Sequence, residues 1–363
     1  MDNSQWGQPS EEWLKFANAN PSLVAPAPKG MSALEQQTLA NNLRAKNSLA
    51  RLESSGLKAA VETRDYAVPT REGGSITVRA YRPAAARTET LPLYVHYHGG
   101  GFLLGNLETE GFNCSWLSHA LSIVVLHVAY RCTPQHTGLT AWHDALDGFK
   151  WAMANAETLN YNPGKVLVGG ISAGGCLTAT VLQAEVQRAR ETKTPVRVKG
   201  QILHIPTLVR GEGCYPWDWF ADRSKASMVQ CAEADCLNKA RMDLYWSLLG
   251  TDVAVDHPTW NPGLVAEEDL AGTPPTFMAI AGWDPLRDEG LGYALKLKRA
   301  GVRTKVHIFP GLPHLFLGFP QLPSQQRWSE VTLESMRWAL ADESEWIVER
   351  APPAIPKAPS TTT

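Results

Sequence analysis

Gly170-Ile171-Ser172-Ala173-Gly174 constrains this chain more than any other stretch. It follows the apolar run Val166-Leu167-Val168 and precedes a helix-patterned segment from Cys176 to about Arg190. A serine flanked by small residues between a strand and a helix can occupy a sharp turn that a nearby Cβ would block. Such a turn lifts the Ser172 hydroxyl into a cleft. It also sets that hydroxyl at a helix N-terminus, where unpaired N–H groups favour developing negative charge. Ordinary Gly/Ser/Ala turns carry the same letters, so the context has to come from elsewhere in the chain.

A second motif, His98-Gly99-Gly100-Gly101-Phe102, follows the apolar segment Leu93-Tyr94-Val95-His96-Tyr97. Consecutive glycines can turn backbone N–H groups into a pocket that bulkier residues would close. Acyl transfer needs such donors because the attacked carbonyl oxygen becomes an oxyanion. Losing one donor costs on the order of 100- to 1000-fold in rate. A third donor is expected from the amide of Ala173, directly after the serine. A flexible loop is the plainer reading of the glycines, but their position right after a strand, flanked by a His and an aromatic, argues against it.

A serine hydroxyl needs a base, and the base needs an orienting acid. Asp284 lies in Gly282-Trp283-Asp284-Pro285-Leu286-Arg287-Asp288-Glu289-Gly290, and His314 in Gly311-Leu312-Pro313-His314-Leu315-Phe316. Each follows a β-rich run, at 276–280 and 305–309. Loops after the carboxyl ends of sheet strands are where open α/β folds assemble their sites. Asp288 is the rival acid, read instead as a first-turn residue of the helix 289–300. His307, inside a strand, is the weaker rival base.

Strand and helix patterns alternate: strand 92–98, helix 109–121, strand 122–129, helix 140–156, strand 165–170, helix 173–190, strand 198–205. This predicts an α/β fold, a mostly parallel twisted sheet with helices on both faces. A hairpin precedes it at 63–82, around Glu72-Gly73-Gly74. The division read from the chain is 1–60, a helical segment with a break at Pro21 to Pro28; 61–206, the first part of the core; 207–262, a cap insertion; 263–350, the second part of the core; and 351–363, a Pro/Thr-rich disordered tail. The insertion carries Trp217, Trp219, Phe220, Tyr245, Trp246 and Trp260, and the run 243–249 suits a short amphipathic helix. These aromatics can line an apolar substrate pocket or simply pack the insertion onto the body.

These residues together resemble the hormone-sensitive-lipase-like branch of the α/β-hydrolases. The resemblance runs from about Tyr81 to Ala339 and includes Tyr130-Arg131, Pro134, His136, Ala141, Asp144 and the 284–290 run. It implies Ser172 as nucleophile, His314 as base, Asp284 as its partner, and Gly99, Gly100 and Ala173 as oxyanion donors. It also implies that residues 1–60 join the cap, with Trp13 and Phe16 closing the pocket. Phe102, Tyr130, Trp217, Trp246 and Trp283 are expected along the substrate site, and Arg131 in a structural ion pair. Three positions depart from the family: Ile171 for an Asp, Gln135 for a Glu and Leu315 for a Gly.

The expected activity is hydrolysis of a small-molecule ester through an acyl-serine. A lactonase, thioesterase, acyltransferase or cyclase in small-molecule biosynthesis is the alternative. A non-catalytic ligand receptor ranks below both, because relatives with that role lack the triad histidine. No metal and no organic cofactor is expected. With 34 basic and 36 acidic residues the chain has no nucleic-acid footprint. No stretch of about 20 apolar residues predicts a membrane span. Neither a signal peptide nor a mitochondrial presequence is expected from the first residues. The six cysteines lack any C-x-x-C spacing, so a zinc or redox site is not expected and a cytoplasmic location is. Monomer and homodimer both stay open.

Overall fold

The structure is a computed structural model that describes residues 1–25 and 30–341. Part of the Pro21–Pro28 break and the tail expected from residue 351 lie outside the described residues.

Apolar runs of four to seven residues between turn signals become strands. β1 (Val61–Pro69) and β2 (Ser75–Pro83) form the expected hairpin, paired from Val61 with Pro83 to Pro69 with Ser75. Gly73 turns it at φ +87°. β3 (Leu91–Tyr97), β4 (Val124–Val128), β5 (Tyr161–Ile171), β6 (Gly200–His204), β7 (Thr276–Trp283) and β8 (Thr304–Pro313) follow. The eight strands form one sheet in the order β1-β2-β4-β3-β5-β6-β7-β8. β2 is antiparallel to both neighbours, and the pairs from β4 to β8 are parallel. β4 and β6 are buried along their whole length, as expected for strands covered on both faces.

Helices cover both faces. Thr140–Ala154 and Ala173–Thr192 pack over one core, with Leu93, Val95, Val166 and Val168 inside it. Gly111–Leu121 and Pro323–Leu340 pack over the other, against Tyr94, Val125, Leu167 and Phe277. Because β3 lies between β4 and β5, the chain leaves β3 in one direction and β5 in the other. Ligand clefts open at such a reversal, beyond the carboxyl ends of the strands.

The helix expected at 289–300 begins earlier, at Arg287, because the preceding turn is closed by Arg287 N donating to the Asp284 carbonyl at 3.1 Å. β5 likewise begins earlier than expected, at Tyr161. Between β6 and β7 the alternation breaks into short 3-10 turns and the helices Ser227–Gln230, Lys239–Leu248 and Glu267–Leu270. The described residues up to 60 are mainly helical, dominated by Ala33–Ser54. Ser32 and Glu35 close a capping box at its start: Ser32 N donates to Glu35 Oε2 at 2.7 Å and Glu35 N to Ser32 Oγ at 3.3 Å.

Candidate active site

Ser172 joins the end of β5 to the helix Ala173–Thr192, at φ 56° and ψ −115°. A non-glycine residue holds that geometry only if its surroundings enforce it. Two glycines allow it. A Cβ on Gly174 would lie 2.1 Å from the Tyr97 carbonyl oxygen, and one on Gly170 would lie 2.3 Å from the Gly174 oxygen. Backbone bonds fix the turn. Ser172 N donates to His204 O at 2.9 Å, and Ser172 O accepts from the amides of Gly175, Cys176 and Thr207.

His314 follows β8, and Asp284 follows β7. His314 Nδ1 lies 2.7 Å from Asp284 Oδ2, and His314 Nε2 lies 2.8 Å from Ser172 Oγ. Asp284 Oδ1 accepts from Leu286 N at 2.9 Å, which holds the carboxylate in place. A carboxylate can only accept, so Nδ1 carries the proton and Nε2 is free to take one from the serine. All three side chains are buried, Ser172 at 5% exposure. Asp288, the rival acid, binds Arg287 Nε and Ser227 N instead. His307 stays within β8, paired with Ala279.

The glycine loop leaves β3 beside this group. Gly100 has φ +138°, and a Cβ there would meet the Leu104 carbonyl at 2.1 Å. A Cβ on Gly99 would lie 3.0 Å from Ile171 O, beside the serine. Among the described residues, the amides of Gly99, Gly100 and Ala173 have no hydrogen-bond partner. The loop is braced from beneath. His98 Nδ1 lies 3.1 Å from Gly99 O, so that nitrogen is the donor. Burial pushes the His98 imidazole down to about 4, which keeps it neutral.

Five aromatics were expected along a substrate pocket. Two of them sit in ring stacks. Phe102 stacks on Trp142 at 4.5 Å, and Tyr130 stacks on His98 at 4.2 Å while its hydroxyl donates to His98 O at 2.8 Å. Both are buried in the core beside the glycine loop. Trp217 and Trp246 are half-buried, in a cluster with Tyr215, Phe220 and Met242. Trp283 is half-buried at the end of β7, packed against the core cluster that includes Trp13 and Phe16. Trp13 is fully buried and donates to Asp235 Oδ2 at 2.8 Å. Arg131 pairs with Asp144 and Glu72, both at 2.8 Å or less.

Three contacts were not read from the sequence. The Tyr245 ring lies against Gly101. Gln37 Nε2 donates to Leu103 O at 2.7 Å and Thr133 O at 2.9 Å, and Gln135 donates to Gln37 Oε1 at 2.7 Å. Gly105 N donates to Asn41 Oδ1 at 2.8 Å. The long N-terminal helix therefore holds the loop that carries the glycines. No motif announces polar residues 60 to 100 positions away. A surface recess of about 560 Å³ lined by Pro163, Arg188 and Arg197 lies at the opposite end of β5 from Ser172. Among the described residues, no cluster of His, Cys, Asp or Glu could hold a metal ion, and no helix is long and apolar enough to cross a membrane.

A family model described as the α/β hydrolase fold matches residues 94–318. Carboxylic ester hydrolase LipN of Mycobacterium tuberculosis is 36% identical over 265 residues, which are 72% of this chain and 66% of that protein's length. Carboxylesterase NlhH of the same species is 34% identical over 248 residues, 67% of this chain and 72% of NlhH. Among solved structures, vibralactone cyclase superposes with a TM-score of 0.82 at 29% identity, covering 93% of this chain and 96% of its own. The chain belongs to the α/β-hydrolase fold family, in its hormone-sensitive-lipase-like branch of serine ester hydrolases.

Proposed function

We propose that this protein hydrolyses small-molecule carboxylic esters through an acyl ester on Ser172. The observation that carries this is the unbroken chain from Ser172 Oγ through His314 to Asp284, at 2.8 and 2.7 Å. His314 Nε2 takes the serine proton as Oγ attacks the ester carbonyl. Asp284 holds the tautomer and stabilises the imidazolium. The amides of Gly99, Gly100 and Ala173 stabilise the oxyanion, helped by the N-terminus of the helix that starts at Ala173. His314 then protonates the leaving alcohol. Water, activated by the same base, releases the acid. None of these steps draws on a cofactor.

Residues 1–60 and 207–262 form the cap over this site. The Trp13–Asp235 bond between the two segments and the Tyr245–Gly101 contact support that division. Six unpaired cysteines support a reducing, cytoplasmic setting.

Fluorophosphonate labelling tests the assignment. The native protein should label at Ser172, and Ser172→Ala, folded by circular dichroism, should not. Labelling retained at another serine ends the proposal.

A second reading keeps the acyl-serine but passes the acyl group to an alcohol, in transfer or ring closure. The close burial of Ser172 and the likeness to a cyclase over 93% of the chain favour it, since a dry site protects an acyl-serine from water. Product analysis with and without candidate alcohols separates the two.

A further inference from the structure

Arg210 is a buried cation with no counter-ion. Its side chain lies in a residue 9% exposed, and no carboxylate pairs with it among the described residues. Burial pushes its guanidinium down to about 10, still charged at neutral pH. Nη2 donates to the carbonyls of Trp246 at 3.1 Å and Gly250 at 2.9 Å. Nη1 is buried and has no acceptor. The guanidinium carbon sits 3.3 Å over the ring of Trp260.

Trp260 repeats the pattern. It is 2% exposed, and its indole N–H has no acceptor. Trp142, 6.1 Å away, has only the weakly accepting Cys176 thiol by its indole N–H. This group therefore holds three donors short of acceptors. A buried charge without a partner is costly, so its retention calls for a use. Glu289 does not serve as counter-ion. Its Oε1 accepts from the amides of Leu208 and Val209, burial raises its carboxyl above the ordinary carboxylate value, and among the described residues no ion pair joins it to Arg210.

Backbone contacts join the segments that carry this group to the nucleophile's turn. Thr207 N, three residues before Arg210, donates to Ser172 O at 3.2 Å. Trp260 O lies 4.0 Å from the sulfur of Cys176, one turn along the helix from Ser172. Trp142 stacks on Phe102, which follows the glycine loop. The side chain of Arg210 reaches from this wall to the helix Lys239–Leu248, whose Tyr245 covers Gly101.

We propose that Arg210 and the indole N–H of Trp260 recognise a carboxylate carried by the ester substrate, so that the enzyme prefers esters with a free acid group. A carboxylate offers only acceptors, and a guanidinium matches it with paired N–H donors. This rests on the esterase reading and names its substrate class.

The test pairs 4-nitrophenyl monoesters of succinate, glutarate and adipate with the neutral butyrate, pentanoate and hexanoate esters, with the Ser172→Ala rate subtracted. At least one acid should exceed its neutral partner in kcat/KM by roughly 10- to 100-fold, the scale of a buried charged hydrogen bond. Arg210→Met should collapse that ratio, chiefly through KM, and Arg210→Lys should recover part of it. Neutral esters turned over with no preference for any acid overturn the proposal, as does a ratio unchanged in Arg210→Met. Calorimetry of glutarate and adipate on the unaltered protein reads the site without turnover and without a variant. Absence of binding heat for both overturns the carboxylate site. No turnover of any ester, with no labelling of Ser172, overturns instead the esterase reading, and the calorimetry still decides the carboxylate site.

Discussion

The ring of Tyr245 lies against Gly101 so closely that a Cβ on the glycine would meet Cδ2 at 2.1 Å. Gly101 also has φ +62°. The insertion helix Lys239–Leu248 is thus seated on the loop that carries the unpaired amides. Gly101→Ala must displace either the Tyr245 ring or the loop. It should lower kcat/KM by on the order of 100-fold, the effect of losing one oxyanion donor. Tyr245→Ala should instead raise kcat/KM for bulky acyl groups relative to acetate. Steady-state kinetics on graded nitrophenyl esters reads both. Full turnover in Gly101→Ala would remove the loop from the mechanism.

Arg287 is completely buried and ties together elements far apart in the chain. It donates to Asp288 at 3.0 Å, to Gly282 O at 3.1 Å and to Gln230 Oε1 at 2.9 Å. Asp288 also accepts from Asn3 at 2.9 Å and from Ser227 N at 2.7 Å. Arg287→Met leaves a buried carboxylate without its cation, which costs about 3–5 kcal/mol. Scanning calorimetry should show Tm lowered by several degrees, and adding Asp288→Asn should recover part of the loss. An unchanged Tm in Arg287→Met would contradict the pairing.

Three buried histidines set an acid limit on stability. Burial pushes His98 down to about 4, His204 to about 3, and His127 well below its ordinary value. Unfolded imidazoles take up protons near pH 6.5, whereas these stay neutral in the folded protein. The unfolded state therefore binds more protons below pH 6.5, and stability falls as pH drops from there toward 4. Above pH 6.5 their contribution is complete. Among the described residues His127 has no partner at either ring nitrogen, and it faces His96, His98, Glu110 and Arg79. His127→Phe should flatten the decline of Tm between pH 6.5 and 4.5. A Tm independent of pH across that window would show that these sites stay solvated.

Much of the frame was legible because its signals are local. The alternation of apolar runs with helix-patterned segments fixed the order of strands and helices from β1 to β8. Ser172 could be read because the strain of its turn depends on the residues beside it, Gly170 and Gly174 above all. The aromatics were harder. A sequence marks Phe102 and Tyr130 as large and apolar, but not whether they face a ligand or the core. Their burial follows from Trp142 and His98 lying opposite them; His98 belongs to the glycine motif, but that it would stack on Tyr130 is not written there, and Trp142 lies 40 positions beyond Phe102. The insertion was visible as a break in the pattern, while its contacts were not.

The chain by itself determined which chemical groups are available and on which loops they sit, because a tight turn and a strand end are written in consecutive residues. Folding decided the rest. Ser172 and His314 are 142 positions apart and meet at 2.8 Å only because β5, β6, β7 and β8 pair side by side and in parallel. Among the described residues Arg210 lacks a counter-ion, and Tyr245 covers Gly101, for the same kind of reason. Burial and partnership depend on what the whole chain brings near, and no short stretch of residues carries that information.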